Sequence, residues 1–261
     1  MQLLLLVIPS LAVVSAVLIY RHNGKKEVLK FDLVQFVYAF VLSPALFVWL
    51  KSFLFYLVKT DPELNFSSTQ MYALDTSFSV LFMFVYAFIV IHSLTKSFNL
   101  KRKEDPLYDV FRHSEYFHLW LTHLVMYLGI MLIATVVSFT NLFLPLELET
   151  NRLGFYLLLL VGVFGGLGAF SGVWLSDPEE ANFLRIMKLA SGLVFLLHVI
   201  VYFLIEPGFS IKYGFYWLTL MTFATAVFCF FFFHRSEKAK GLLEKFKHHK
   251  WEFKADIFKK K

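Results

Sequence analysis

The sequence has little charge for its size. Only 17% of its 261 residues are charged, whereas 58% are hydrophobic. A typical soluble domain contains about 25% charged residues. The charged residues lie between long apolar runs and seldom within them. Because a soluble core of this size has no room for so much apolar surface, we predict an integral membrane protein.

Other residues that the sequence lacks exclude particular kinds of site. Cys229 is the only cysteine, so the chain forms no internal disulfide and no thiolate metal cluster. No carboxylate lies at mid-depth in any apolar run, which argues against a proton relay built from acidic residues. We find no nucleotide-binding motif, no spacing of a nucleophile with a base, and no complete metal-ligand set.

Seven apolar stretches are long enough to cross a bilayer, which takes roughly 20 residues in a helix. They cover 3–20, 33–57, 72–94, 117–139, 153–175, 183–205 and 215–233. No basic residue precedes the first stretch, so we interpret it as a retained span and not as a signal peptide. We predict an all-α, polytopic bundle of about seven transmembrane helices in residues 1–234, followed by a basic tail in residues 235–261.

The basic residues of the loops predict the orientation of the bundle, since lysine and arginine accumulate on the cytoplasmic side. With the N-terminus outside, almost all of the 25 lysines and arginines fall in inside segments. The exceptions are Lys59, Arg152 and Lys212 outside, and Lys51 within a span. We therefore predict an outside N-terminus and a cytoplasmic C-terminus, in a plasma membrane or a bacterial inner membrane.

The basic tail has helical periodicity, with apolar residues near one face and lysines on much of the rest. This pattern predicts an amphipathic helix on the inner leaflet, with lysines near anionic lipid phosphates. The lysines assigned to that surface are Lys245, Lys247, Lys250 and Lys254. A merely solvated tail is the alternative, and no nucleic-acid motif accompanies the charge.

Four histidines in or near the spans are the candidate polar or ligand site, because ionisable groups are costly in a bilayer. They are His92, His118, His123 and His198. His92 and His118 are expected at similar depth near the cytoplasmic ends of their spans, so they are the best candidates to face one another. His198 has no histidine at its own level. Histidines that merely hydrogen-bond between helices are the alternative interpretation.

Haem held by two of these histidines is the sharpest cofactor hypothesis, since facing imidazoles serve as axial ligands. The series His113, His118, His123 argues against a shared site on one helix. A spacing of five residues turns a regular α-helix by about 500°, which separates successive side chains by about 140°. We therefore predict no bound metal or cofactor, with haem as the alternative.

Glycines crowd the fifth span. Gly162 and Gly166 are four residues apart, as are Gly168 and Gly172. Small residues at this spacing let another helix approach closely, so we predict a helix-packing face, with a hinge or a helix that lines a narrow pathway as the alternatives. The partner is expected either within the chain or in a second copy.

These observations favour a non-enzymatic multi-pass membrane protein, either a pore or transport-related protein or a subunit of a membrane complex. The expected partners are anionic inner-leaflet lipids and a homo-oligomeric or membrane-complex partner, with no nucleic acid. The alternative is an enzyme with an inner-leaflet histidine site, either a redox protein or a lipid-modifying enzyme.

Lys51 and Asp75 are further expected to pair at the outer ends of spans two and three.

Overall fold

The computed structural model describes most of the chain. The described residues are 2–29, 31–59, 66–100, 117–147, 152–176, 178, 182–232 and 241. The tail lies outside them apart from Gly241, so the four lysines assigned to the membrane surface are not described.

The described chain forms seven long apolar helical spans, as the sequence predicts. In chain order the elements are α1 (Gln2–Ile19), β1 (Glu27–Val28), β2 (Phe31–Asp32), α2 (Leu33–Val37), α3 (Ser43–Lys59), α4 (Ser68–Leu100), α5 (His123–Phe143), α6 (Arg152–Trp174), α7 (Leu184–Ile205) and α8 (Gly214–Phe231). A π-helical segment, Tyr38–Leu42, joins α2 to α3 within one span, and another, Phe117–Thr122, precedes α5. The short strands β1 and β2 pair antiparallel. The all-α membrane bundle is thereby confirmed.

Proline chemistry shapes the first two spans. Pro9 has no N–H to donate to the carbonyl of Leu5 four residues earlier, and the indole Nε1 of Trp49 donates to that oxygen instead, at 2.6 Å. The first π-helical segment ends at Leu42, two residues before Pro44, which also lacks the N–H that a regular helix needs. There the hydroxyl of Ser43 donates to the carbonyl of Tyr38 at 2.8 Å.

Helix α8 is the centre of the bundle. About 56% of the last span is buried, against 11% of the first and sixth spans, which are peripheral. Close approach to α6 follows from glycine: a Cβ on Gly162 would lie 2.7 Å from the carbonyl of Leu218 on α8. A Cβ on Gly166 would lie 2.6 Å from the Cβ of Thr225, also on α8.

Gly168 faces a different helix, since its Cβ would meet a methyl of Val13 on α1 at 3.0 Å. Three of the four predicted packing glycines therefore lie at helix contacts within this chain. Gly172 differs, because a Cβ there would meet no atom of the described residues within 4 Å. Within the described part of the chain, Gly172 thus borders an open space and not a neighbouring helix.

At the predicted outer end, Asn141 of α5 ties the start of α8 in place. Its Oδ1 accepts the N–H groups of Phe215 and Tyr216, at 3.0 and 3.3 Å. Its Nδ2 donates to the carbonyls of Leu144 and Lys212, at 3.2 and 3.1 Å. A helix leaves its first N–H groups without intrahelical partners, and here a side chain of another helix supplies two of them.

Candidate functional site

A cavity of about 230 Å³ lies at the end of the bundle predicted to face the cytoplasm, and all seven spans contribute to its wall. Gly168 and Ser176 both line it, eight residues apart along and just beyond α6. At 1.5 Å per residue the cavity therefore extends about 12 Å along the helices. We call it the inner cavity.

The wall of the inner cavity changes from polar to apolar with depth. Most polar lining groups lie at the bundle end, on Tyr20, Gln35, His92, Lys96, His123, Tyr127 and Ser176. Nearer the middle of the bundle the wall consists largely of apolar side chains, such as Ala12, Leu46, Ile89, Ile130 and Phe223. The cavity thus presents one polar end and one hydrocarbon-like end.

His92 and His123 form the centre of the polar end. Their ring centroids lie 4.5 Å apart in an edge-to-face arrangement, and both residues are buried. The hydroxyl of Thr122 lies 3.5 Å from Nδ1 of His92. On its other side the ring of His123 stacks on Phe183, with centroids 5.7 Å apart. Sequence reasoning placed His92 opposite His118, whereas the structure brings His92 together with His123.

The π-helical segment Phe117–Thr122 bears on that difference. The expected 140° between residues 118 and 123 assumes a regular α-helix. In a π-helix the backbone hydrogen bonds join residues five apart, so each turn contains more residues than in an α-helix. The regular-helix angle therefore does not apply to this stretch. The side chain of His118 lies outside the described residues.

A haem does not fit between His92 and His123 as they are placed. Two axial imidazoles each bond through one nitrogen, at about 2 Å, to the iron that lies between them, so their ring centroids stand roughly 6 Å apart. The observed distance of 4.5 Å between the centroids is shorter than that. Among the described residues, no group of three or more histidine, cysteine or acidic side chains is arranged to hold a metal ion.

Lys96 places a cation in the wall of the inner cavity, where it is 8% exposed. No aspartate or glutamate is among the described lining residues. The carboxylate of Asp32, at the start of α2, accepts the backbone N–H groups of Gly24, Val34 and Gln35 at 2.7 to 3.1 Å. Its oxygens are thus engaged by backbone donors.

Gln35 is the lining residue whose hydrogen bonding is incomplete. Its Nε2 donates to Oδ1 of Asn23 at 3.1 Å, which fixes the amide in place. Its Oε1 is buried and accepts no hydrogen bond from any described residue, although Gln35 as a whole is only 1% exposed. A buried amide oxygen that accepts no hydrogen bond is costly, and Oε1 is in this position with respect to the described residues.

Tyrosine hydroxyls hold the wall of the inner cavity together. Tyr38 donates to the carbonyl of Ala16 on α1 at 2.6 Å, and Tyr20 donates to that of Leu175 at 3.2 Å. Tyr127 of α5 donates to the carbonyl of Gly172 on α6 at 2.9 Å. These bonds join neighbouring spans around the space, which makes the cavity a preformed feature of the bundle.

His198, the fourth candidate histidine, lies away from the inner cavity and serves the packing of the helices. Its Nδ1 donates to the carbonyl of Val194 at 2.8 Å, and its Nε2 accepts from the hydroxyl of Ser138 on α5 at 3.2 Å. The ring also packs against Phe139 and Tyr216. With both nitrogens engaged inside the bundle, His198 acts as a hydrogen-bonding link between helices.

The predicted pair at the outer end is present. Lys51 forms an ion pair with Asp75, and its ammonium also donates to the hydroxyl of Ser79 at 2.9 Å. This pair lies at the end of the bundle opposite the inner cavity.

Sequence and structure comparisons assign no family: no protein-family model matches the chain, and neither does any curated protein or solved structure. The functional interpretation therefore rests on the inner cavity itself. Sequence reasoning found His92, His123 and the glycines of α6, but it missed Gln35, Lys96 as a lining residue and the cavity.

Proposed function

We propose that this protein binds a small amphipathic molecule in the inner cavity, as the cargo or regulatory ligand of a transport-related membrane protein. The observation that carries the proposal is the graded wall of the cavity, polar at the bundle end and apolar toward the bilayer centre. A ligand pocket is characteristically a mostly apolar concavity with a few placed polar groups. An inner-leaflet lipid has the same order of polar and apolar parts along the membrane normal.

The size of the space supports a molecule larger than water. An apolar cavity of about 150 Å³ already accommodates benzene in other proteins. The inner cavity is larger, at about 230 Å³, and it reaches about 12 Å into the bundle. An apolar tail of that length therefore fits along the helices, with its polar group near His92 and Lys96.

A lipid-modifying enzyme is the second candidate, and the contact between His92 and His123 favours it. Two imidazoles at the polar end are suited to general acid and base work on a head group. This activity predicts a chemically altered product when the protein is incubated with the lipid that it binds. A carrier releases the same molecule unchanged, so mass spectrometry of the recovered lipid separates the two candidates.

Photolabelling tests whether the inner cavity binds amphiphiles. Purified protein in phosphatidylcholine nanodiscs is irradiated with a ten-carbon fatty acid that carries a diazirine, and labelled peptides are mapped by mass spectrometry. We expect label on the cavity-lining parts of α5 and α6. Gly172→Phe fills the space, since no atom of the described residues lies within 4 Å of a Cβ there. It should reduce this labelling about tenfold, a loss of about 1.4 kcal/mol.

Gly192→Phe is the matched control. Gly192 lies within α7 and is not a lining residue of the inner cavity, and no atom in the described part of the chain lies within 4 Å of a Cβ there. Both changes replace a helical glycine with the same side chain, so their effects on helix propensity are similar. Labelling unaffected by Gly172→Phe, or reduced equally by both variants, would contradict the proposal.

A further inference from the structure

We propose that the inner cavity selects amphiphiles whose polar group is a hydrogen-bond donor, and that Gln35 is the acceptor that makes the selection. This inference rests on the proposed function and names its ligand class. The class contains molecules with a hydroxyl or an amide N–H, as opposed to ethers, esters and ketones, whose polar atoms only accept.

Gln35 provides an acceptor that the bundle does not use. Its side chain is 1% exposed, and Oε1 receives no hydrogen bond from the described residues. An amide oxygen accepts up to two hydrogen bonds, and burying one without a donor is destabilising. Because Gln35 belongs to the wall of the inner cavity, that space is the one from which a ligand can supply the donor.

Two neighbours fix the orientation of this amide. Nε2 of Gln35 donates to Oδ1 of Asn23 at 3.1 Å. A rotation of the amide by half a turn would break this bond and bring two oxygens together. The carboxylate of Asp32 also accepts the backbone N–H of Gln35 at 3.1 Å, which anchors the residue in the first turn of α2. Oε1 therefore belongs to a preorganised side chain, and preorganisation favours the matching ligand by reducing the cost of ordering.

Three hydroxyl groups of the same wall add acceptors and no donors. Tyr38 donates its only hydroxyl proton to the carbonyl of Ala16 at 2.6 Å. Ser43 donates to the carbonyl of Tyr38 at 2.8 Å, and Ser191 donates to that of Lys188 at 3.1 Å. Because a hydroxyl has one proton and two lone pairs, each of these oxygens can only accept a further hydrogen bond.

The selection is assigned to Gln35 and not to the basic residues beside it. Lys96, His92 and His123 also line the polar end of the cavity, and each has further interactions within the protein. The unused atom of Gln35 is an oxygen, so it favours a donor whatever the charge of the ligand.

Competition between isomers tests the selection. The protein in phosphatidylcholine nanodiscs is photolabelled with a ten-carbon alcohol that carries a diazirine, and the label on α5 and α6 is measured. One pair of competitors is decanol and methyl nonyl ether, and the other is decanamide and N,N-dimethyloctanamide. The two members of a pair have the same molecular formula, and only the first can donate. We expect the first to compete about tenfold better at equal concentration in the nanodisc.

Variants assign the selection to its residue. Gln35→Met should remove the advantage of the donor, so that both members of a pair compete equally. Asn23→Asp should retain the advantage, because a carboxylate only accepts and still holds Nε2. Asn23→Ala should reduce it, because the amide is then free to rotate. Ser93→Ala is the control, since its hydroxyl is also buried without a hydrogen bond to the described residues, but Ser93 does not line the cavity.

The failure of this inference differs from a failure of the proposed function. Equal competition within either pair in the unaltered protein, or an advantage that Gln35→Met leaves unchanged, would overturn the selection and leave amphiphile binding intact. A cavity that the fatty acid labels and the alcohol does not would have the same meaning. Labelling that none of the four competitors reduces, and that Gly172→Phe does not affect, would overturn both.

Discussion

Two buried amide side chains, Asn141 and Gln35, show how the two ends of this bundle differ. Asn141 at the predicted outer end makes four hydrogen bonds, two from Nδ2 and two to Oδ1. That number is the full capacity of an amide side chain. Gln35 at the inner cavity has a partner for Nε2 and none for Oε1 among the described residues. Both residues are almost completely buried.

This difference distinguishes a buried polar group that stabilises the fold from one that is available to bind a ligand. In a membrane, an amide whose hydrogen bonds are all made within the protein stabilises the fold and presents nothing to a ligand. An amide with one atom left over, beside a cavity, provides an acceptor that the fold itself does not need. We therefore expect substitutions at the outer end to lower the stability of the protein, and substitutions at the inner end to change ligand binding.

The largest effect on stability is expected at Asn141. Asn141→Ala leaves the N–H groups of Phe215 and Tyr216 and two carbonyls without their partner inside the bundle. The expected loss in the free energy of unfolding is about 3–5 kcal/mol, since each buried unsatisfied group costs about 1–3 kcal/mol. Thermal unfolding in detergent measures it. If Asn141→Ala lowered the free energy of unfolding by less than the other substitutions below, Asn141 would not be the main residue that holds α5 to the start of α8.

The next largest effect is expected at Trp49, which satisfies the carbonyl that Pro9 leaves open. Trp49→Phe should reduce the free energy of unfolding by about 1–3 kcal/mol, because the oxygen of Leu5 loses its donor. In a Pro9→Ala background the helix supplies its own N–H, so the same substitution should cost less. A double-mutant cycle measures this difference. Equal costs in the two backgrounds would show that the indole acts by packing alone.

A smaller effect is expected at the ion pair of Lys51 and Asp75. Its side chains are 31% and 51% exposed, and exposed pairs contribute about 0.2–1 kcal/mol. Lys51→Met should therefore lower the stability by about 1 kcal/mol or less, with amphiphile binding unchanged. Thermal unfolding and the photolabelling assay together check this prediction. A large loss in either measurement would mean that the pair does more than fasten α3 to α4.

The smallest effect on stability is expected at Gln35. Gln35→Met removes the bond to Asn23 but also relieves the burial of an oxygen without a donor, and these terms offset one another to within about 1 kcal/mol. The melting temperature should hardly change, whereas amphiphile binding in the inner cavity should weaken. If Gln35→Met destabilised the protein as strongly as Asn141→Ala, the contrast between the two amides would be wrong.

Much of the fold was predictable from the sequence, because span length and hydropathy are local properties. The seven spans follow from apolar runs bounded by charge, and the contacts of Gly162 and Gly166 with α8 follow from their spacing. Orientation and the tail remain predictions. Gly172 has the same spacing as the packing glycines, yet it borders the inner cavity, because spacing does not reveal whether a neighbouring helix reaches that depth.

The polar end of the cavity was harder to predict for reasons that are equally physical. The assumed α-helical register between residues 118 and 123 does not hold, because the chain forms a π-helix there. No residue type in that stretch predicts a π-helix. Gln35 stands three residues after Asp32, a spacing typical of a helix capping box. The structure uses Asp32 as that cap but turns the side chain of Gln35 toward Asn23. The capping-box spacing thus gave no indication that the side chain of Gln35 contacts Asn23.

The tie at Asn141 also determines how the central helix is able to move. Phe215 is held to α5, while Phe230, which lines the inner cavity, lies fifteen residues further on, or about 22 Å along α8. A displacement that keeps this tie is a swing of α8 about its outer end. A tilt of about 5° moves the far end by about 2 Å and leaves the fulcrum in place. Such a tilt would change the width of the inner cavity where Phe230 lines it.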